Sequence, residues 1–185
     1  MRKCNKKVLF DGRLSKSTAL YNCCILQAGY SMTFASIKGG VAPVDLGSID
    51  ATKEDSVCVD FYAEGSETRK LVDTTVKLST VTDLSGIDAV FFVGGFGTMW
   101  DFPDDPDVQR IVKDMYEAGK VVSAVCHGPC ALANVKLSDG SYLVAGKTVA
   151  AFTNAEEDAV QRRNKVRVWR WCCFTIIAQV PYKVA

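Results

Sequence analysis

Residues 119–134 read GKVVSAVCHGPCALAN, and this stretch decides the fold. Val121, Val122 and Val125 form a β-branched run too brief for a helix and apolar enough for a buried strand of a parallel sheet. Gly128 permits a tight turn, and Pro129 suits the first turn of a helix continued by Cys130, Ala131, Leu132 and Ala133. This order puts Cys126 on a sharp strand-to-helix turn, the nucleophile-elbow arrangement usually built around serine. A thiol beside a helix N-terminus meets a positive potential that favours the thiolate. His127 is the only histidine in the chain. Taken by itself, the dipeptide also fits a packed thiol beside a satisfied imidazole. Adjacent residues on a turn point in different directions, so the elbow is a stronger signal than the pairing.

Outward from this stretch, strands alternate with helices, the pattern of a parallel sheet covered on both faces. Ala89–Val93 (AVFFV) reads as a second buried strand, closed by GGFG at 94–97. Those glycines stand where open α/β sheets place their ligands, at the carboxyl end of a strand. No GK[ST] follows them, so they are not a phosphate loop. Asp104 or Asp105 is positioned to cap a helix whose Val108, Ile111, Val112 and Met115 share one face, and Gly119 ends it. Lys7–Phe10 and Tyr30–Ser36 read as strands, with a helix over 15–28 between them. Residues 38–50 read as a Gly/Pro/Asp loop. Val57–Tyr62 is expected as a strand, 66–72 as a short helix and Gly146–Phe152 as a further strand. Thr153 or Asn154 would cap a helix carrying Glu156, Glu157 and Asp158.

The 185 residues suit one domain with a real core. A net charge of +1 argues against a general nucleic-acid binder, and no apolar run approaches a membrane span. The basic start MRKCNKKVLFDG lacks the long apolar core of a signal peptide. The eight cysteines include two adjacent pairs and no CxxC, which fits neither a zinc module nor a familiar disulfide framework. Reduced thiols in the cytoplasm are the expectation. RRNKVRVWR at 162–170 crowds five basic residues into nine positions, as a solvated turn before an edge strand would.

The segment 90–160, VFFVGGFGTMWDFPDDPDVQRIVKDMYEAGKVVSAVCHGPCALANVKLSDGSYLVAGKTVAAFTNAEEDAV, closely resembles the ThiJ/PfpI superfamily. Within it the chain is similar to the glyoxalase III and heat-shock chaperone branch, through AVCHGP, GGFGTMWDFP, GSYLVAGK and FTNAEE; AGYSMTFAS and KGGVAPVD extend the likeness back to about residue 19. The resemblance implies a flavodoxin-like three-layer α/β sandwich, of the class I glutamine amidotransferase-like kind, with a mainly parallel sheet and a nucleophile elbow. It implies a homodimer that needs no metal or cofactor. The implied activity is that of a glutathione-independent glyoxalase of the D-lactate dehydratase type, converting methylglyoxal-like 2-oxoaldehydes to 2-hydroxy acids through a cysteine thiohemiacetal. Carried over by position, Cys126 is the nucleophile, His127 its partner and Glu157 the carboxylate that orients the imidazole. Gly94, Gly95, Phe96 and Gly128 line the oxyanion and substrate site.

Five departures accompany the likeness. Ser17 stands where the superfamily places a glutamate near the nucleophile, Leu20-Tyr21 replace its His-Pro pair, and no carboxylate occurs between Asp11 and Asp45. Phe96 replaces the usual histidine of GGHG, and Cys130 a small apolar residue. Residues 161–185 do not resemble the superfamily's ending, so an aberrant or truncated tail on a single ThiJ/PfpI-like domain is expected. Loss of the helix carboxylate opens an alternative: a catalytically impaired stress-response, redox-sensing or chaperone paralogue that retains the reactive cysteine.

Overall fold

Side chains along Ala89–Phe92 (β4) alternate between two buried clusters, and that alternation defines two packed faces. Val90 and Phe92 turn into a core shared with Ala35, Val122, Ala124 and Leu132, while Phe91 turns the other way, toward Phe34, Phe61 and Val72. A strand buried on both faces belongs in the interior of a parallel sheet. The computed structural model describes residues 7–11, 25, 28–44, 49–50, 52–148, 150–151, 155, 158 and 174–175. In it β4 runs parallel to Lys7–Asp11 (β1) on one side and to Val121–Ala124 (β5) on the other. Ser31–Ser36 (β2) pairs in parallel with β1, and Val76–Lys77 (β3) with β2, giving the order β3-β2-β1-β4-β5. Chain progression reverses between β1 and β4, and ligands of such sheets gather at the carboxyl ends near that point. The architecture is the expected flavodoxin-like α/β arrangement.

The helix Pro106–Glu117 feeds β5 into place. Asp105 caps it by accepting from Asp107 N and Val108 N at 2.9 Å each, and Pro106 occupies the first turn. Val108, Ile111, Val112 and Met115 are fully buried against β4 and β5, as their spacing predicts. At its far end Gly119 adopts φ +69. Its N–H donates to Tyr116 O at 3.0 Å and that of Lys120 to Met115 O at 2.9 Å, the paired bonds of a Schellman motif. Two residues later the chain is already in β5.

Four expectations are corrected. Ser56–Tyr62 is a helix (α1), not a strand over Val57–Tyr62: Asp55 accepts from Val57 N, and the buried pair Cys58 and Phe61 has helical spacing. Val121 is 49% exposed, because the first residue of β5 lies at the sheet margin. The turn after Cys126 continues as a 3-10 helix, Gly128–Leu132, and Ala133 is its cap. Gly146, at φ +69, belongs to a turn; of the strand expected over Gly146–Phe152 only Ala150–Ala151 (β6) pairs among the described residues, antiparallel to Phe174–Thr175 (β7). The short helix expected over 66–72 is Glu67–Asp73 (α2), capped by Ser66. The helix expected over 15–28, apart from Ile25 and Ala28, and most of the tail lie outside the described residues. Among the described residues no helix is long and apolar enough to cross a membrane.

Candidate active site

Two loops leave the carboxyl ends of adjacent strands: Gly94–Gly97 after β4, and Val125–Gly128 after β5. The second is a β-turn in which Gly128 N–H donates to Val125 O at 2.8 Å. Cys126 takes its second position at φ +59, the one positive φ of a non-glycine among the described residues, and His127 follows at φ −88, ψ −6. These are the signs of a type II′ turn, whose second position ordinarily takes glycine. A cysteine held there costs about 1–2 kcal/mol in backbone strain.

The surrounding glycines serve two different needs. Gly94 and Gly128 lack Cβ atoms because there is no room for them. A Cβ on Gly94 would lie 2.6 Å from both Cys126 Cβ and His127 N, and one on Gly128 would lie 2.2 Å from Phe92 O. The two loops therefore meet backbone to backbone, which fixes the elbow against β4. Gly95 is needed for its conformation, φ +111.

Cys126 is partly buried, and its Sγ lies 3.4 Å from His127 Nδ1. Adjacency does produce contact here. Burial pushes the thiol up, but four influences outweigh it. These are the hydrogen bond from His127, its charge, and the backbone N–H groups of Gly95 and His127; together they hold the thiol below its ordinary value of 9.0. His127 is only 4% exposed, and its ring lies 4.4 Å from that of Phe96, tilted by 44°. Phe96 is half-buried and supplies an apolar wall where a histidine would have been polar.

The described site therefore brings together Cys126, His127, Gly94, Gly95, Phe96 and Gly128. Glu157 and Ser17 lie outside the described residues. Cys130 is buried and turns its sulfur to Thr98, 3.4 Å from the Thr98 carbonyl oxygen. Thr98 is the residue that the motif reading passes over; its signal is a threonine three places after a glycine that needs a positive φ. Among the described residues no three His, Cys, Asp or Glu side chains converge as metal ligands. A thiol held below its ordinary value and faced by the N–H groups of Gly95 and His127 suits covalent addition to a carbonyl carbon.

The sequence profile of the DJ-1/PfpI family matches residues 24–168. Over 138 residues the chain is 33% identical to glyoxalase 3 of Candida albicans, a match covering 70% of this chain and 55% of that protein. The chain spans about half the length of the first curated relatives it matches. Among solved structures it resembles the 24 kDa rapid encystment protein of Francisella tularensis, with TM-score 0.76, 30% identity and coverage of 87% of this chain and 76% of that one. The crystal structure of glyoxalase III from Candida albicans superposes with TM-score 0.70 at 26% identity, covering 88% and 77% of the two chains.

Proposed function

The chain belongs to the DJ-1/PfpI family, and from that premise we propose that it is a glutathione-independent glyoxalase acting on methylglyoxal-like 2-oxoaldehydes through Cys126. One observation carries the reading. The Cys126 thiol is held strained and below its ordinary value, with N–H groups of Gly95 and His127 directed at it. The relatives named as glyoxalases supply the substrate class.

In this reading the Cys126 thiolate adds to the aldehyde carbon, and the carbonyl π pair moves to oxygen. That oxyanion falls to the N–H groups of Gly95 and His127, since Gly128 N–H is spent on Val125 O. Protonation by His127 gives the thiohemiacetal. The proton on the former aldehyde carbon then shifts through an enediol to the neighbouring carbon, leaving a thioester. Water hydrolyses the thioester, releasing the 2-hydroxy acid and the thiol. The net reaction adds one water and consumes no external oxidant or reductant. Glu157 is assigned the orientation of the imidazole. A positioned base is worth ~10²–10⁴-fold, so serine at position 17 predicts modest turnover. The protein is further assigned to the cytoplasm, as a homodimer.

The test is lactate formation from methylglyoxal. Cys126→Ala should abolish it, and robust turnover by that variant refutes the assigned nucleophile. Rapid alkylation of Cys126 with no consumption of any 2-oxoaldehyde would instead favour a redox-sensing or chaperone paralogue, the reading that the missing carboxylate between Asp11 and Asp45 supports.

A further inference from the structure

Thr98 is a fully buried polar side chain that the reaction above does not use. Its hydroxyl donates to Gly95 O at 2.8 Å, and its N–H donates to the same oxygen at 3.1 Å. From the other side, Cys130 Sγ donates to Thr98 O at 3.4 Å and lies 3.7 Å from Thr98 Oγ1. Gly94 and Gly95 form a two-glycine hinge whose own conformational preferences are weak. What aims the Gly95 N–H must therefore come from outside the hinge. Gly94 is wedged against Cys126 and His127, which fixes one side. The Gly95–Phe96 peptide on the other side is gripped by Thr98.

We propose that Thr98 is a positioning residue: braced from behind by Cys130, it holds the Gly95 carbonyl so that the Gly95 N–H faces the Cys126 sulfur and, during turnover, the thiohemiacetal oxygen. The inference rests on Cys126 being the reactive group. It also gives Cys130 a task, as a sulfhydryl brace.

Thr98→Val removes the hydroxyl at nearly constant volume, whereas Thr98→Ser keeps it and removes a methyl. The rate of Cys126 carboxamidomethylation by iodoacetamide, followed against pH by peptide mass, reads the thiol directly and needs no turnover. In Thr98→Val the midpoint should move up by about one pH unit, slowing alkylation ~10-fold at neutral pH, and Thr98→Ser should stay within about 0.3 unit of wild type. A packing role predicts the reverse order: serine lowers the melting temperature and valine changes little. A Thr98→Val midpoint equal to that of wild type overturns the inference while leaving the site reading intact. A wild-type midpoint no lower than 9.0 overturns both. If Thr98→Val does not fold, Thr98→Ser and Thr98→Ala decide. A displaced midpoint in Thr98→Ser, which keeps the hydroxyl, refutes the proposal, and Thr98→Ala, which removes it without adding bulk, supports the proposal if its midpoint rises and overturns it if its midpoint equals that of wild type.

Discussion

Replacing Gly94 by alanine separates the two demands that the elbow places on its glycines. The new methyl would sit 2.6 Å from Cys126 Cβ and from His127 N, and 2.8 Å from Val125 O, whereas ordinary contact begins at 3.4 Å. The turn must retreat by about 0.8 Å, because two of these neighbours are backbone and the third is a Cβ, none free to rotate aside. Overpacking of this kind costs ~1–3 kcal/mol. In a chain of this size each kcal/mol lowers the melting temperature by ~2–4 °C, so a loss of about 2–12 °C is expected. A displacement near 1 Å at reacting groups costs ~10²-fold in rate, and kcat/KM with methylglyoxal should fall accordingly. Gly86→Ala is the control, since Gly86 has no positive φ and nothing lies within 4 Å of its virtual Cβ. Differential scanning fluorimetry and the lactate assay read the two effects. If Gly94→Ala melts and turns over like Gly86→Ala, the backbone-to-backbone description of the elbow is wrong.

His127→Ala removes a hydrogen bond and a charge that lower the Cys126 value, so its alkylation midpoint should rise; an unchanged pH profile would sink that assignment. Because the folded thiol lies below its ordinary 9.0, its contribution to stability is present above pH 9.0 and is lost as pH falls through the folded value. The melting temperature of wild type measured against Cys126→Ala should therefore climb with pH across that window, and climb less when His127 is also alanine. Asp105→Ala deletes both capping bonds of the helix Pro106–Glu117 and should cost ~0.5–2 kcal/mol in urea unfolding. Since that helix delivers β5, a variant as stable as wild type would show that Asp105 does not anchor it.

The helix Pro106–Glu117 and β4 were legible because burial and periodicity agreed: apolar residues recur at i, i+3, i+4 and i+7 in the helix, and no polar residue interrupts the strand. Val57–Tyr62 was misread because valine, phenylalanine and tyrosine favour strands locally. The Asp55 cap and the burial of Cys58 and Phe61 on one helical face override that preference. At the elbow, the sequence pattern located Cys126 and the glycines around it. It did not distinguish glycine required for space, at Gly94 and Gly128, from glycine required for conformation, at Gly95. That difference depends on the distance between two strands about thirty residues apart. Thr98 was missed for a related reason: its bond to Gly95 is local, but its contact with Cys130, 32 residues further on, forms only once β4 and β5 have paired.

The positive φ of Cys126 carries a consequence for laboratory evolution. A glycine would relax that turn, so selection for thermal tolerance alone should enrich Cys126→Gly. The most heat-resistant survivors of such a screen would lack the Cys126 thiol. Heat tolerance and reactivity pull in opposite directions at this one backbone torsion, and any stabilising campaign has to hold residue 126 fixed.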